Sequence, residues 1–177
     1  MAGYFSAASF RTLGTAATPQ NLFTIENIDA TKLVTIRRLT VQMDATAVLT
    51  SVMPQVKVSR ATAVPTGGTA LAKALFDTGN ASNANTIVRG GNASDGGVAT
   101  AITATAGTTI WQQYCMRMHT VVGQVLAPDN NVLPLLVETQ DLILRQNQAL
   151  LIQVVASAGA SNPATNHWFA NIVWEED

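Results

Sequence analysis

Charge is what this chain has least of. Lysine, arginine, aspartate and glutamate make up 12% of its 177 residues, about half the share usual in soluble domains. The formal net charge is −1, and Arg37-Arg38 is the only adjacent basic pair. A nucleic-acid partner is not expected, because displacing counterions from phosphates takes a basic stripe. Cysteine is represented by Cys115 alone, so no intrachain disulfide is possible. No run approaches the ~18 apolar residues of a membrane-crossing helix, so a membrane partner is not expected either. The start, Met1-Ala2-Gly3-Tyr4-Phe5, lacks the basic and apolar stretches of a secretory leader. Synthesis and use in a cytoplasm without export is the expectation.

With so little charge, the polar surface has to come from Thr, Ser, Asn and Gln. Such a surface is weakly hydrated and tolerates close approach of another protein; interface cores are depleted in charge in the same way. A net charge of −1 also supplies little repulsion between copies. Self-association follows as an expectation. The extreme case is residues 61–109, built almost wholly of Ala, Thr, Gly, Asn and Ser, with Lys73, Asp77, Arg89 and Asp95 as its charged residues. It contains no His, Cys, Glu, Trp or Tyr, which leaves it able to pack and touch but poorly equipped for chemistry.

What remains is strand pattern. Residues 22–27 read as a short strand. Residues 33–44 alternate with a break: Val34 and Ile36 share one parity, Leu39, Val41 and Met43 the other. One extra residue at Arg37-Arg38 reunites the two sets on one face, as a β-bulge does, and aims both arginines away from the core. Val52, Val56 and Val58 alternate through 48–60, where Pro54 implies an edge strand or a break. Within the Ala/Thr/Gly tract, 70–76 has the composition of one or two helical turns, while 86–88 and 98–102 read as short strands. Residues 109–119 carry large side chains at both parities and read as a central strand. Residues 132–137, 140–144 and 149–156 read as three more strands, the last two joined by a hairpin turn at Arg145-Gln146-Asn147-Gln148. In 167–175, Trp168, Ala170, Ile172 and Trp174 face one way, and Phe169, Asn171 and Val173 the other. Glu175-Glu176-Asp177 reads as a solvated end. Residues 1–21, with Phe5, Phe10 and Leu13 spaced through small residues, read as an arm or loosely held first strand that docks on something.

Eight to ten short strands and almost no helix predict an antiparallel, jelly-roll-like β-sandwich. The expected organisation is an arm at 1–21 and one domain at 22–177, with an insertion at 61–109. Chemistry finds few residues. His119, Glu138 and His167 are the only set from which a jelly-roll metal site could be assembled, and neither histidine has a second one beside it. No Gly-x-Ser-x-Gly elbow is present, and the paired glycines are followed by no Gly-Lys-Ser/Thr. Asp29, Asp77, Asp95 and Asp129 sit in turn-like contexts. No cofactor and no enzymatic activity are expected. Trp111, Trp168 and Trp174 read as core or interface residues.

Phe23-Thr24-Ile25-Glu26-Asn27 leading into 34–43, then 111–119, 132–137 and the closing run from Asn162-Pro163 to Trp174-Glu175-Glu176, together resemble virion structural proteins of tailed bacteriophages. The resemblance implies a small β-sandwich that decorates and cements a capsid from the outside, as a trimer bound to the major capsid protein or other virion proteins. It supplies no family motif from which site residues can be carried over. The contact residues expected from apolarity and charge are Phe5, Phe10, Leu13, Leu71, Leu75, Phe76 and Ile87, with Arg37, Arg38 and Arg89 for carboxylates on a partner. A tail, neck or fibre component that binds a glycan is the alternative.

Overall fold

A computed structural model of the chain describes residues 3–13, 19–44, 55–76, 86–90, 101–114, 142–155 and 166–177. Among these, β-strands alternate with turns and no helix occurs. The strands are β1 (Gly3–Leu13), β2 (Gln20–Asn27), β3 (Val34–Asp44), β4 (Gln55–Ala61), β5 (Thr66–Gly67), β6 (Thr69–Ala70), β7 (Ala74–Leu75), β8 (Thr86–Gly90), β9 (Ile102–Thr103), β10 (Ala106–Tyr114), β11 (Leu142–Leu144), β12 (Gln148–Val155) and β13 (Asn166–Glu176). A first sheet has the order β11-β3-β13-β1-β7, a second β10-β4-β12-β2-β8-β6, and β5 pairs with β9 as a separate ribbon. Every pairing is antiparallel. The two sheets pack against each other as the expected antiparallel sandwich.

The core follows from period-2 alternation. From the first sheet come Phe5, Ala7, Val34, Ile36, Leu39, Val41, Trp168, Ala170, Ile172 and Trp174; from the second, Phe23, Ile25, Val56, Val58, Val88, Leu150, Ile152 and Val154. The parity break in β3 is resolved as the sequence requires. Val173 pairs with Arg38 and Trp174 with Ile36, so Arg37 is the extra residue of a bulge. Both arginines are exposed while Ile36 and Leu39 stay buried. Strand β4 begins directly after Pro54 and lies between β10 and β12, so it is an interior strand, not an edge.

Several expectations are corrected. Of the two readings of residues 1–21, an arm or a loosely held first strand, residues 3–13 are the first strand, and not loosely held: all of β1 pairs with β13, from Gly3↔Glu176 to Leu13↔Asn166. Residues 70–76 form no helix. Seven residues are too few to offset nucleation, and the segment bonds outward instead, Leu71 N–H to the Val88 carbonyl (2.9 Å) and Phe76 N–H to the Tyr4 carbonyl (3.1 Å). The turn at 145–148 forms, with Gln148 N–H on the Arg145 carbonyl (3.0 Å) and Asn147 at φ 58°. It makes no hairpin, however, because β11 lies in the first sheet and β12 in the second. Strand β10 ends the second sheet among the described residues; the expected strand at 132–137 lies outside them.

Residues 62–105 leave and rejoin the sandwich at one place, where Ala61 pairs with Ala106 and Thr62 N–H bonds the Thr105 carbonyl (3.0 Å). In between, the excursion crosses to the far side. There β8 and β6 extend the second sheet beyond β2, and β7 extends the first beyond β1. The β5–β9 ribbon is tied to β2 through Asn21, whose Nδ2 donates to the carbonyls of Ile102 (2.8 Å) and Ala104 (3.1 Å). The described part of the tract is thus a rim of its own sandwich.

Candidate functional site

The outward side chains of the first sheet lie in registered rows. Tyr4, Glu175 and Thr35 form one row; Ser6, Val173 and Arg38 the next; then Ala8, Asn171 and Thr40; then Phe10, Phe169 and Gln42. Tyr4 (45%), Phe169 (43%) and Phe76 (65%) are three of the exposed large hydrophobics. Phe76 stands beside Tyr4 at the β7 margin through its backbone bond. At the other end Phe10 and Phe169 meet at 5.0 Å between ring centroids, and Phe10 and His167 at 5.2 Å. Between these aromatic ends the outward side chains are small or weakly polar, among them Ser6, Ala8, Asn171 and Thr40. Arg37 is folded onto Glu175, Nε to Oε2 at 2.8 Å with Nη2 on the same oxygen. Arg38 is exposed and has no ion-pair partner among the described residues.

The outer face of the second sheet differs. Thr24, Glu26, Ser59, Ala149 and Leu151 are all buried. Burial pushes the Glu26 carboxyl above its ordinary value, against a smaller opposing pull from Arg89. The Arg89 Nη1 donates to the Gly67 carbonyl at 3.2 Å. Gly67 and Gly68 hold the close approach of the ribbon, at φ 67° and 69°. A Cβ on Gly68 would lie 2.7 Å from Ile102 Cγ1.

A third polar group is built on Glu176, which shares the inward parity of Trp174, whereas Glu175 points to the outer face under Arg37. Glu175 (8%) and Glu176 (2%) are buried, which corrects the reading of a solvated end. Glu176 Oε1 accepts from Trp174 Nε1 and Thr86 Oγ1, each at 3.0 Å. Its Oε2 has no hydrogen-bond partner among the described residues. Lys73 Nζ donates to the Thr86 carbonyl (2.9 Å). Burial lowers the Lys73 pKa, and the attraction of Glu176 partly opposes this. The network holds the 62–105 excursion to β13.

The residues expected to make contacts are therefore divided. Phe5 (3%) is core, stacked on Trp174 at 5.7 Å and 16°, because it shares parity with Ala7 on a fully paired strand. Leu71 and Leu75 pack against the core, and Arg89 turns onto its own ribbon. Ile87 is half-buried on the outer side of β8. Arg38 and Phe76 are exposed and Phe10 is half-buried; the side chain of Leu13 lies outside the described residues. Tyr4 and Phe169 are exposed large hydrophobics that the sequence pattern alone did not single out. The parity of Phe169 with Asn171 and Val173 marks it as outward, whereas the place of Tyr4 depends on the β1–β13 register.

Of the residues weighed for chemistry, Cys115, His119 and Glu138 lie outside the described residues. Trp168 and Trp174 are buried and Trp111 is partly buried against the core. Among the described residues no three His, Cys, Asp or Glu side chains are grouped to hold a metal ion, and no helix is long and apolar enough to cross a membrane. Comparison with protein-family models, curated proteins and solved structures returns no match.

Proposed function

We propose that this chain is a non-enzymatic structural protein of a tailed-phage particle, decorating and stabilising the capsid through protein–protein contacts, at the capsid surface and with copies of itself. The observation that carries the reading is the outer face of the first sheet, with exposed aromatic side chains at both ends, Tyr4 and Phe76 at one and Phe169 at the other. Exposed aromatic side chains rimmed by polar ones are usual at protein-docking surfaces. A jelly-roll reading of the strand order, the fold common in capsid proteins, supports it. Taking eight principal strands among the described residues in chain order (β1, β2, β3, β4, β10, β11, β12, β13), the sheets read first-eighth-third-sixth and second-seventh-fourth-fifth, the order that reading expects.

Mass spectrometry and electron microscopy of purified virions test this. The protein is expected in many copies on the head; its absence from the virion refutes the reading. The Phe10–Phe169 rings beside the exposed amides of Gln42 and Asn171 favour a second reading, a tail, neck or fibre module that stacks a glycan. A glycan array giving a hit that Phe169→Ala abolishes supports that alternative.

A further inference from the structure

The outer face of the first sheet fits itself. From the middle row, Ala8–Asn171–Thr40, the row on one side is less bulky on β1 and β13, with Ser6 and Val173, and carries Arg38 on β3. The row on the other side is bulky, with Phe10 and Phe169. Each lies about 7 Å from the middle, two residues along a strand. A two-fold axis lying in the face and running across the strands along the middle row exchanges these two rows. It sets Phe10 and Phe169 of one copy over Ser6 and Val173 of the other, bulk against space. It sets Arg38, the exposed guanidinium, over Gln42, with no like charge opposed. It sets Glu175 over His167.

We infer that this face is the interface of an isologous dimer, its occupant a second copy of this chain packed sheet on sheet. Three long strands make a face roughly 36 Å by 14 Å before β7 and β11 widen it, taking ~3.3 Å per residue and ~4.8 Å per strand. Side-chain relief brings this to the order of the ~800 Å² per partner that a standard interface buries. A face repeated on both partners through one axis is the commonest form of self-association. It stands in place of the three-fold arrangement implied by the phage resemblance. It rests on the proposed function only in taking this face as protein-binding.

Sedimentation equilibrium of the full chain at micromolar concentration tests it, with circular dichroism monitoring the fold. The expected mass is twice the 18.6 kDa of the chain. Gln42 and Phe169 are both exposed. Gln42→Glu places a carboxylate opposite Arg38 at two symmetric positions and tightens the dimer by about 2- to 30-fold; Gln42→Arg loosens it by a similar factor. Phe169→Glu loosens it by roughly 100-fold or more. A monomer, a trimer, or a dimer indifferent to residues 42 and 169 overturns the assignment. Absence from virions would leave the dimer standing, and a monomer would leave the particle reading standing, so the two fail separately.

Discussion

Replacing Thr86 by valine tests whether the buried carboxylate of Glu176 is held by the donors around it. The two side chains have nearly the same shape and both favour strands, so β8 is not disturbed. The change removes the hydroxyl that donates to Oε1 at 3.0 Å and leaves Trp174 Nε1 as the donor to that oxygen, while Oε2 already has none among the described residues. Thr86 is 2% exposed and so is Glu176, so water does not readily replace the lost bond. A hydrogen bond to a charged group contributes about 1.5–3 kcal/mol. A loss of ~2 kcal/mol lowers Tm by ~4–8 °C in a chain of this size. Urea unfolding and calorimetry read the effect directly. The control is the same change in a Glu176→Leu background, where no carboxylate remains to satisfy and the cost of Thr86→Val falls to near zero. A cost below ~0.5 kcal/mol in the wild-type chain, the level of an ordinary surface change, would refute the reasoning. So would an equal cost in both backgrounds.

Deleting Arg37 removes the bulge residue and leaves Ile36 and Leu39 two apart, so the fold survives at a cost of about 1 kcal/mol, the upper range of an exposed ion pair. Deleting Thr40 instead reverses the parity of Val41 relative to Leu39, and no folded protein is recovered; equal tolerance of the two deletions in a thermal melt would count against the assigned register. Glu26→Gln tests burial of a carboxyl through pH. The folded pKa lies above 4.5, so the folded state holds the proton more tightly and wild-type stability declines as pH rises from 4.5 through the folded value. The glutamine variant gains on wild type across that window and keeps the gain at neutral pH; denaturant titrations showing the opposite slope would contradict it. Asp29 has the opposite sign. Hydrogen bonds from the backbone and side chain of Thr31, with that from Lys32 N–H, lower its pKa, so the advantage of wild type over Asp29→Ala is present above pH 3.8 and is lost as pH falls through the folded value. Gly67→Ala destabilises by at least ~1 kcal/mol, because a left-handed residue acquires a Cβ that points at the Ala101 carbonyl; an unchanged Tm would mean that the ribbon relaxes freely.

What was legible in the sequence was local. The bulge at Arg37 is written in the parity of Val34, Ile36, Leu39 and Val41, and the two faces of β13 in Trp168 to Trp174. What escaped depends on partners far away in the chain. Strand β1 buries Phe5, Ala7, Ser9 and Arg11, too small and polar a set to announce a buried face; pairing along β13 is what buries it. The turn at 145–148 has turn chemistry in itself, yet nothing local says that its two arms enter different sheets. The buried place of Glu175 and Glu176 is likewise a property of register. The aromatic face was half legible: Phe169 by parity, Tyr4 only once β1 is set beside β13.

The placing of β13 between β1 and β3 bears on how the molecule comes to exist. A ribosome delivers β1 and β3 early and β13 after the other strands. Until then the first sheet has a gap along its middle, flanked by two long unpaired strand edges. Such edges invite pairing with another chain, and closing contacts across so much sequence is slow. The low charge that suits an assembled surface gives the nascent chain little protection meanwhile. A chaperone, a cool growth temperature or a low expression rate should therefore decide the yield of soluble protein more than any single side chain does.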